Sequence, residues 1–276
     1  MKKLIVLTLV PCFLFGCDDD QSENIFTGGI DIIENEIQKA DENTLVVFDC
    51  DETLITMTDQ ILKFHHDTDL KKIELKMIIT HPSLVSKIDE LKSIVMLSAN
   101  KSLVNKRLPD VVKNLQNRNI KTLMITSMKN EKFGEINSLI DWRIDELQKF
   151  GFDFSRSWKQ LNPGYISKKG PYYSSGIICS KPTGKGKSLE LFLKYAKIKP
   201  EKIIFVDDIK KNLLEVQKIA NNLSIKFIGI ECNEATQVSS GLKFSHQRAK
   251  FQIKHLTKNK VWISDEVAEK MMNTPN

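Results

Sequence analysis

Short runs of apolar, largely β-branched residues recur along the chain, and most of them end in a polar residue. The runs span 45–49, 121–127, 176–179, 202–208 and 226–231. Uninterrupted apolar runs of this length are typical of strands that are buried on both faces of a parallel sheet. The sequence therefore predicts a sheet of several parallel strands.

Between these runs the apolar residues follow the spacing of amphipathic helices. Ile30, Ile33 and Ile37 lie on one face of a helix predicted at 30–39. Pro109 occupies the first-turn position that proline favours in the helix ahead of the second strand. Further helices are predicted at 136–150, 209–220 and 243–272. The alternation of strands and helices predicts an α/β fold with a mostly parallel sheet.

Two carboxylates follow the first apolar run at the point where its strand ends. Asp49 and Asp51 are separated only by Cys50, and in open α/β sheets this end of a strand is where ligands bind. Placing two acids so close together in a buried site is costly unless a cation lies between them or one is protonated. A divalent cation and a phosphoryl group would justify the pair, with one Asp attacking phosphorus and the other transferring protons.

The pattern Asp-x-Asp-x-Thr after an apolar strand resembles the first motif of phosphatases of the haloacid dehalogenase superfamily. This resemblance implies that Asp49 is the nucleophile and a Mg²⁺ ligand. It also implies that Asp51 is the acid and base, with its backbone carbonyl at the metal. Taken alone, the motif is also compatible with a strand that ends in an acidic turn or a helix N-cap.

Three later segments resemble the remaining motifs of that superfamily, in the same order. Thr126 ends the second apolar run and would bind the transferring phosphoryl group, although a hydroxyl that caps a turn is an alternative for it. Lys185 would stabilise negative charge, with Lys187 or an exposed basic loop as alternatives. Asp207 would bind Mg²⁺ directly, and Asp208 would act from the second coordination sphere or hold the lysine.

The resemblance covers about 43–232 and implies a doubly wound core that carries an inserted cap. Residues 43–55 and 107–276 are predicted to form the core, and the helical pattern of 56–106 predicts a small α-helical cap inserted after the first motif. The chain also resembles a little-characterised set of bacterial lipoproteins of the haloacid dehalogenase type.

The N-terminal segment predicts export and lipid attachment. Residues 1–16 combine two lysines with a short apolar stretch, which is typical of a secretory signal and too short for a spanning helix. The segment 14–17 resembles a lipobox with Cys17 as the lipid-acceptor residue, although Phe15 departs from its pattern. Residues 17–42 would then form a tether and an N-terminal helix. A lipid-attached protein that faces the periplasm is the prediction, with a plain cleaved signal and an uncleaved anchor as the alternatives.

Composition argues against nucleic-acid binding and against a framework of disulfide bonds. The formal net charge is +6, and no long basic run alternates with aromatic residues, so nucleic acid is not a predicted partner. Beyond the predicted signal and Cys17, the cysteines are Cys50, Cys179 and Cys232. This odd number argues against a disulfide framework, and a bond between the last two stays open.

The motifs together predict a Mg²⁺-dependent phosphomonoester hydrolase that acts on a small phosphorylated substrate in the cell envelope. An aspartyl-phosphate on Asp49 would be its covalent intermediate. Two other classes stay open, because fold alone does not determine function. One is a binding protein without turnover on the same scaffold, and the other is a phosphotransferase that passes the phosphoryl group to a different acceptor.

Overall fold

The structure is a computed structural model, and it describes residues 24–63, 67–80, 82–168, 170–238 and 241–274. The predicted signal at 1–16 and the predicted lipid-acceptor Cys17 lie outside the described residues. Within the described ranges the strands are β1 (Ile25–Gly28), β2 (Thr44–Phe48), β3 (Ile55–Met57), β4 (Lys101–Leu103), β5 (Lys121–Thr126), β6 (Gly164–Tyr165), β7 (Tyr172–Ser174), β8 (Ile177–Cys179), β9 (Lys202–Asp207) and β10 (Lys226–Cys232). The helices of the same ranges are α1 (Ile30–Gln38), α2 (Asp67–Thr80), α3 (Ile88–Ser98), α4 (Leu108–Asn117), α5 (Leu139–Lys149), α6 (Lys185–Tyr195), α7 (Lys210–Asn222), α8 (His246–Asn259) and α9 (Asp265–Asn273).

A large central sheet organises the described part of the chain. Its strand order is β1-β10-β9-β2-β5-β8-β7-β6. The strands from β1 to β8 in this order pair in parallel, and β7 and β6 extend the edge beyond β8 as antiparallel strands. The prediction of an α/β fold with a large, mostly parallel sheet is confirmed, and the arrangement is compatible with a doubly wound fold.

Both faces of the sheet are covered, which explains why β2 is apolar at nearly every position. Val46 and Phe48 point into a hydrophobic cluster with residues of α1, α4 and α5. Leu45 and Val47 alternate with them and point into a second cluster with residues of α6 and α7. Successive side chains of a strand face opposite sides of the sheet, so this single strand contributes to two cores.

A third hydrophobic cluster lies outside these two layers. It joins Ile61 and Leu91, from the segment 56–106 that was predicted as a cap, to Ile253 and Trp262 from the C-terminal part of the chain. The same segment contributes β3 and β4, which pair with each other in a separate two-stranded sheet. The C-terminal helix α8 therefore packs against the predicted insertion, and the boundaries of the predicted domains stay a prediction.

Besides the two strands in the segment that was predicted as helical, the structure differs from the predicted elements in three further places. The predicted tether contains β1, which pairs in parallel with β10 and extends the sheet at that edge. The predicted helix at 243–272 is two helices, α8 and α9, because Lys260 adopts a left-handed conformation and Ser264 caps α9 by accepting a hydrogen bond from the Val267 amide. The predicted helix at 136–150 begins only at Leu139, after a Ser138 cap.

Candidate functional site

The carboxyl ends of two neighbouring strands bring three carboxylates together. Phe48 of β2 lies opposite Val206 of β9 in parallel register, so Asp49 and Asp207 follow at the same edge of the sheet. The amide of Asp49 donates to the Val206 carbonyl at 2.8 Å, which fixes the backbone there. One carboxylate oxygen each from Asp49, Asp207 and Asp208 lie within 4.8 Å of one another. In the sheet, β2 lies between β5, which comes next among the parallel strands, and β9, to which the chain returns after β8. Open sheets bind ligands at such a reversal of strand order.

Lys185 bridges two of these carboxylates from the start of α6. Its Nζ atom lies 2.5 Å from Oδ1 of Asp49 and 2.7 Å from Oδ2 of Asp207, and its side chain is only 3% exposed. Lys187, the alternative in the sequence, is exposed and pairs with Glu190 on the surface. Of the two lysines, Lys185 is therefore the one that the fold places among the carboxylates.

A tight turn before α6 directs Lys185 into the site. Gly184 has a φ of +89°, a conformation that L side chains rarely adopt, and its amide donates to the Ser180 carbonyl at 3.0 Å. The Ser180 hydroxyl in turn donates to the carbonyl of Thr126 at 2.9 Å. A Cβ atom on Gly186 would lie 2.7 Å from the backbone oxygen of Glu215, so glycine permits α6 to pack closely on α7. The two glycines therefore hold the lysine between them.

Burial and mutual repulsion shift the protonation of this cluster. Desolvation raises the pKa of Asp49 well above its usual value, against the opposing effect of Lys185, and the charge of Asp207 adds to the rise. Burial and the charge of Asp207 raise the pKa of Asp208 to about 6. Burial alone would lower the pKa of Lys185, but the charges of Asp49 and Asp207 outweigh it and raise that pKa. The ammonium group therefore stays charged among carboxylates that outnumber it.

The donor set fits a hard divalent cation. Oδ1 of Asp208 is buried and has no hydrogen-bond partner within the described ranges. Asp207 is already oriented, because its Oδ1 accepts from the Ile209 amide and from Nδ2 of Asn212, both at 2.9 Å. If all three carboxylates were ionised, the single ammonium would leave two negative charges in a buried space. Carboxylate oxygens are the ligands that Mg²⁺ and Ca²⁺ prefer, and a divalent ion would balance that charge.

Asp51 stands apart from the three-carboxylate group and contacts a second set of charges. Its side chain is 58% exposed, and its Oδ2 accepts from Nη2 of the buried Arg143 at 2.9 Å. Arg143 also pairs with Glu146 at 2.6 Å, and Glu146 pairs with Lys101 at 2.6 Å. The carboxylate groups of Asp51 and Glu146 raise the pKa of Arg143 despite the opposing effect of burial. A row of alternating charges therefore anchors the Asp51 carboxylate.

Thr126 lies at the same edge of the sheet, at the end of β5. It is buried, and β5 pairs in parallel with β2, with Met124 opposite Phe48. Its backbone carbonyl accepts from both the amide and the hydroxyl of Ser180, each at 2.9 Å. The next residue, Ser127, is exposed. The fold therefore brings Asp49, Thr126, Lys185, Asp207 and Asp208 to one edge of the sheet.

Sequence analysis did not predict two charged residues that lie at this edge of the sheet. Arg143 and Glu146 lie on the buried face of α5 and are themselves buried. The helical spacing could have identified Arg143. It stands four residues after Leu139 and four before Leu147, where an amphipathic helix places core residues. A charged residue at such a position needs a partner, and here the partners are Asp51 and Glu146.

A cavity of about 270 Å³ opens beside Asp51, between the sheet edge and the segment 56–106. Its walls combine charged and apolar side chains, among them Glu52, Thr56, Lys63, Leu70 and Lys101. Burial raises the pKa of Glu52, whose carboxylate accepts from the Thr56 hydroxyl at 2.6 Å. The cavity offers room for a small molecule next to the Asp51 carboxylate.

The three cysteines of the described ranges, Cys50, Cys179 and Cys232, are buried free thiols, so the possible bond between the last two is not formed. Desolvation raises the pKa of each of these thiols. In the part of the chain that the structure describes, no helix combines the length and the apolar composition needed to cross a membrane.

Comparison with known proteins identifies relatives along most of the chain. "Uncharacterized protein RP296" of Rickettsia prowazekii is 25% identical over 261 residues, which cover 87% of this chain and 87% of that protein. A Chlamydia pneumoniae protein named "Putative outer membrane protein" is 38% identical over 58 residues, 21% of this chain and 22% of that protein. No solved structure matches the chain. The family described as "Protein of unknown function (DUF2608)" matches residues 27–269, and the chain belongs to this family.

Proposed function

We propose that the protein is a Mg²⁺-dependent phosphomonoester hydrolase of the haloacid dehalogenase type, acting through an aspartyl-phosphate on Asp49. The observation that carries this proposal is the bridge that Lys185 makes between Asp49 and Asp207 at the carboxyl edge of a parallel sheet. A buried lysine beside three carboxylates suits a site in which negative charge accumulates during phosphoryl transfer.

In the first step an oxygen of Asp49 attacks the phosphorus of the substrate. The bond between phosphorus and the ester oxygen breaks, and Asp51, in the protonated form that this step requires, gives its proton to the departing oxygen. Lys185 donates to Oδ1 of Asp49 and so favours the ionised form that the attack requires. Bound Mg²⁺ would supply further positive charge to the phosphoryl oxygens, and Asp49, Asp207, Asp208 and the Asp51 carbonyl would hold it.

In the second step a water molecule attacks the aspartyl-phosphate. Asp51 takes a proton from this water, the bond between phosphorus and Asp49 breaks, and inorganic phosphate leaves. Both carboxyl groups then return to their starting states. Arg143 determines which oxygen of Asp51 can be protonated, because a guanidinium only donates hydrogen bonds and so needs an unprotonated oxygen as acceptor. Since Arg143 contacts Oδ2, the transferred proton is carried on Oδ1.

The substrate is a small phosphorylated molecule in this proposal. Thr126 would donate its hydroxyl to a phosphoryl oxygen, because it ends the strand next to the one that carries Asp49. The cavity beside Asp51 would receive the part of the substrate that leaves with the ester oxygen. Its volume of about 270 Å³ is close to the lower limit of ordinary ligand pockets, which supports a small leaving group.

Phosphate release from an aryl phosphate, with and without Mg²⁺, tests the proposal. We expect release by the wild type only with Mg²⁺, and a loss of at least about a thousandfold, or about 4 kcal/mol, in Asp49→Asn. Asp145→Asn, an exposed residue of α5, is the matched control and should keep the wild-type rate. No release by the wild type would favour a binding protein, and phosphate transfer to an added alcohol would favour a phosphotransferase.

We also propose that Cys17 is lipidated and holds the protein at a periplasm-facing membrane surface. The lipobox-like segment 14–17 supports this, and the name of the Chlamydia pneumoniae relative agrees with an envelope location. Labelling of cells with a palmitate analogue tests it. Wild type and Cys12→Ser should incorporate the label and Cys17→Ser should not. An unlabelled wild type whose mature N-terminus maps elsewhere than Cys17 would leave a plain secretory signal.

A further inference from the structure

An apolar cavity of about 350 Å³ lies in the third hydrophobic cluster, away from the carboxylates. The helices α2, α3 and α8 form its sides, and its lining is mostly aliphatic or aromatic, with Lys71, Lys92 and Thr257 as the polar members. The apolar lining residues include Leu62, Leu84, Leu91, Val95, Phe133 and Trp262. Its volume falls within the range of small-molecule sites, and apolar surface in such a site favours an apolar ligand.

A lysine-rich groove of about 640 Å³ adjoins this cavity and shares two wall residues with it, Leu84 and Thr257. One carboxylate, Asp69, and one imidazole, His246, also line the groove. Lysines of two helices supply the rest of its charge, Lys72 and Lys76 from α2 with Lys250, Lys254 and Lys258 from α8. An apolar compartment and a cationic one therefore meet along a common wall.

The spacing of the lysines concentrates their charge on the groove. Lys250, Lys254 and Lys258 are four residues apart and share one face of α8, and Lys72 and Lys76 repeat this spacing on α2. Like charges at this spacing destabilise a helix, and the sequence of α8 contains no Asp or Glu that would offset them. An anion bound in the groove would relieve this repulsion.

We propose that the cavity and the groove together bind one anionic amphiphile with a single acyl chain. The chain would enter the apolar cavity, and the carboxylate or phosphate head would lie among the lysines of α2 and α8. A free inorganic anion would leave the apolar cavity unused, and a neutral apolar molecule would not use the positive charge that Lys250, Lys254 and Lys258 bring to the groove. Neither Asp49 nor Lys185 lines these two compartments. Leu62 and Leu70 line both the apolar cavity and the cavity beside Asp51, so the two sites share a wall but no proposed catalytic residue.

Calorimetric titration of the full chain with dodecanoate, kept below its micelle concentration, tests the proposal. Dodecanoate is not a phosphoester, so it does not probe the proposed active site. Dodecyl maltoside has the same chain without the charge, and acetate has the charge without the chain. We expect one saturable dodecanoate site that is at least about tenfold tighter than either control, and equal dodecanoate affinity in Asp49→Asn.

Two sets of variants test whether the groove binds the head group and the cavity binds the acyl chain. Lys254→Gln with Lys258→Gln should weaken dodecanoate binding by about tenfold and leave dodecyl maltoside unchanged. Val95→Phe, which fills the cavity with apolar atoms, should weaken both. The matched control is Lys113→Gln with Lys149→Gln, two exposed helix lysines outside the groove, which should change neither affinity.

Several results would overturn the proposal. Equal affinities for dodecanoate and dodecyl maltoside would show an apolar site without headgroup recognition. An equal loss in the control pair would show a general charge effect. Binding to vesicles of anionic phospholipid without binding to monomeric dodecanoate would show a membrane-contacting surface in place of a site for one molecule. Unfolding curves of each variant would separate loss of binding from loss of fold.

Discussion

Arg143 holds Asp51 through a hydrogen bond of 2.9 Å between Nη2 and Oδ2, so a guanidinium that is 5% exposed anchors a carboxylate that is 58% exposed. The other terminal nitrogen of Arg143 binds Glu146, which in turn binds Lys101. A planar guanidinium with two fixed partners holds a carboxylate in one orientation better than a flexible ammonium does. In the proposed hydrolase, Arg143 is therefore a positioning residue for the acid and base.

We expect Arg143→Lys to lower kcat by about tenfold to a hundredfold, about 1.4 to 2.7 kcal/mol, with a smaller effect on KM. The lysine keeps the charge but loses the second fixed hydrogen bond, so Asp51 samples orientations that do not reach the ester oxygen. The pH profile of kcat should shift as well, because Arg143 acts on the group that transfers protons. Steady-state kinetics of aryl phosphate hydrolysis measures both effects.

The matched control for this substitution is Arg107→Lys. Arg107 also contacts two carboxylates, Asp31 and Glu34, but on the surface, and its substitution should leave the kinetics unchanged. A double variant adds a second check, since Arg143→Lys should cause little further loss once Asp51 is Asn. Additive losses in the double variant would mean that Arg143 acts on the fold and not through Asp51.

Substitution of the two candidate lysines should give opposite results. Lys185→Met removes the only cation that contacts Asp49 and Asp207 within the described ranges, and we expect hydrolysis to fall by at least about a hundredfold, about 2.7 kcal/mol. Removing one partner of a buried ion pair also costs about 3 to 5 kcal/mol of stability. Lys187→Met loses only a surface pair with Glu190 and should keep activity within about twofold, below 1 kcal/mol.

Chemical denaturation and initial rates measure these two quantities separately. A Lys185→Met protein that keeps its fold and its rate would contradict the role of the lysine. If Lys187→Met lost activity instead, the proposed placement of charge in the site would be wrong.

The strand-terminal acids of the site were predictable from sequence, and the sequence favoured Lys185 without excluding Lys187. Asp49 and Asp207 each end an apolar run, and parallel strands bring such ends to one edge of a sheet. The sequence 184–188 offers Lys185 and Lys187 in nearly identical local surroundings. The difference arises from tertiary structure, because α6 presents the first lysine to the sheet and the second to solvent.

The elements that sequence analysis missed are short or depend on distant partners. β1 is four residues long and forms a strand by pairing with β10, about two hundred residues later in the chain. The start of α9 does show the pattern of a helix N-terminus, with Ser264 as the cap and Asp265 and Glu266 in the first turn. The apolar periodicity of 243–272 hid this signal, because periodicity alone does not report a break between two helices.

A buried carboxylate links the C-terminal helices to the predicted cap segment, and its removal should destabilise the protein. Asp59 accepts from Nε1 of Trp262 and from the amide of Asp265, both at 2.8 Å. Asp59→Ala would leave both buried donors without this partner, at a cost of about 2 to 4 kcal/mol in the free energy of unfolding. The control Asp41→Ala removes an exposed carboxylate that accepts from Thr44 and should destabilise the fold much less, because water can replace this hydrogen bond.

Urea denaturation measures the cost, and amide hydrogen exchange locates it. We expect faster exchange in α8 and α9 of Asp59→Ala, since these helices contact the segment 56–106 through this residue. Uniform acceleration throughout the central sheet would instead mean that the link stabilises the whole fold.

Asp208 should affect the stability of the protein in a pH-dependent way, because it lies among buried carboxylates. Without metal the Asp208 carboxylate should destabilise the fold at pH 7, and with Mg²⁺ it should stabilise the fold. Burial and the charge of Asp207 raise the pKa of Asp208 above its ordinary value, to about 6. A carboxyl group with a raised pKa in the folded state stabilises the fold while it is protonated, and this contribution is lost as pH rises through about 6. In chelator, Asp208→Asn should therefore match the wild type near pH 4 and exceed it in stability at pH 7.

Mg²⁺ should reverse this difference at pH 7, because the wild type would bind the ion through Asp208 and gain stability by mass action, about 2.7 kcal/mol at a hundredfold excess over Kd. Asn is a weaker ligand because it carries no charge. Thermal unfolding at pH 4, 5, 6 and 7, with chelator and with Mg²⁺, measures both effects, and Asp145→Asn controls for the loss of any surface charge. If wild type and Asp208→Asn unfolded at the same temperature under all of these conditions, neither the buried repulsion nor the metal site would exist as described.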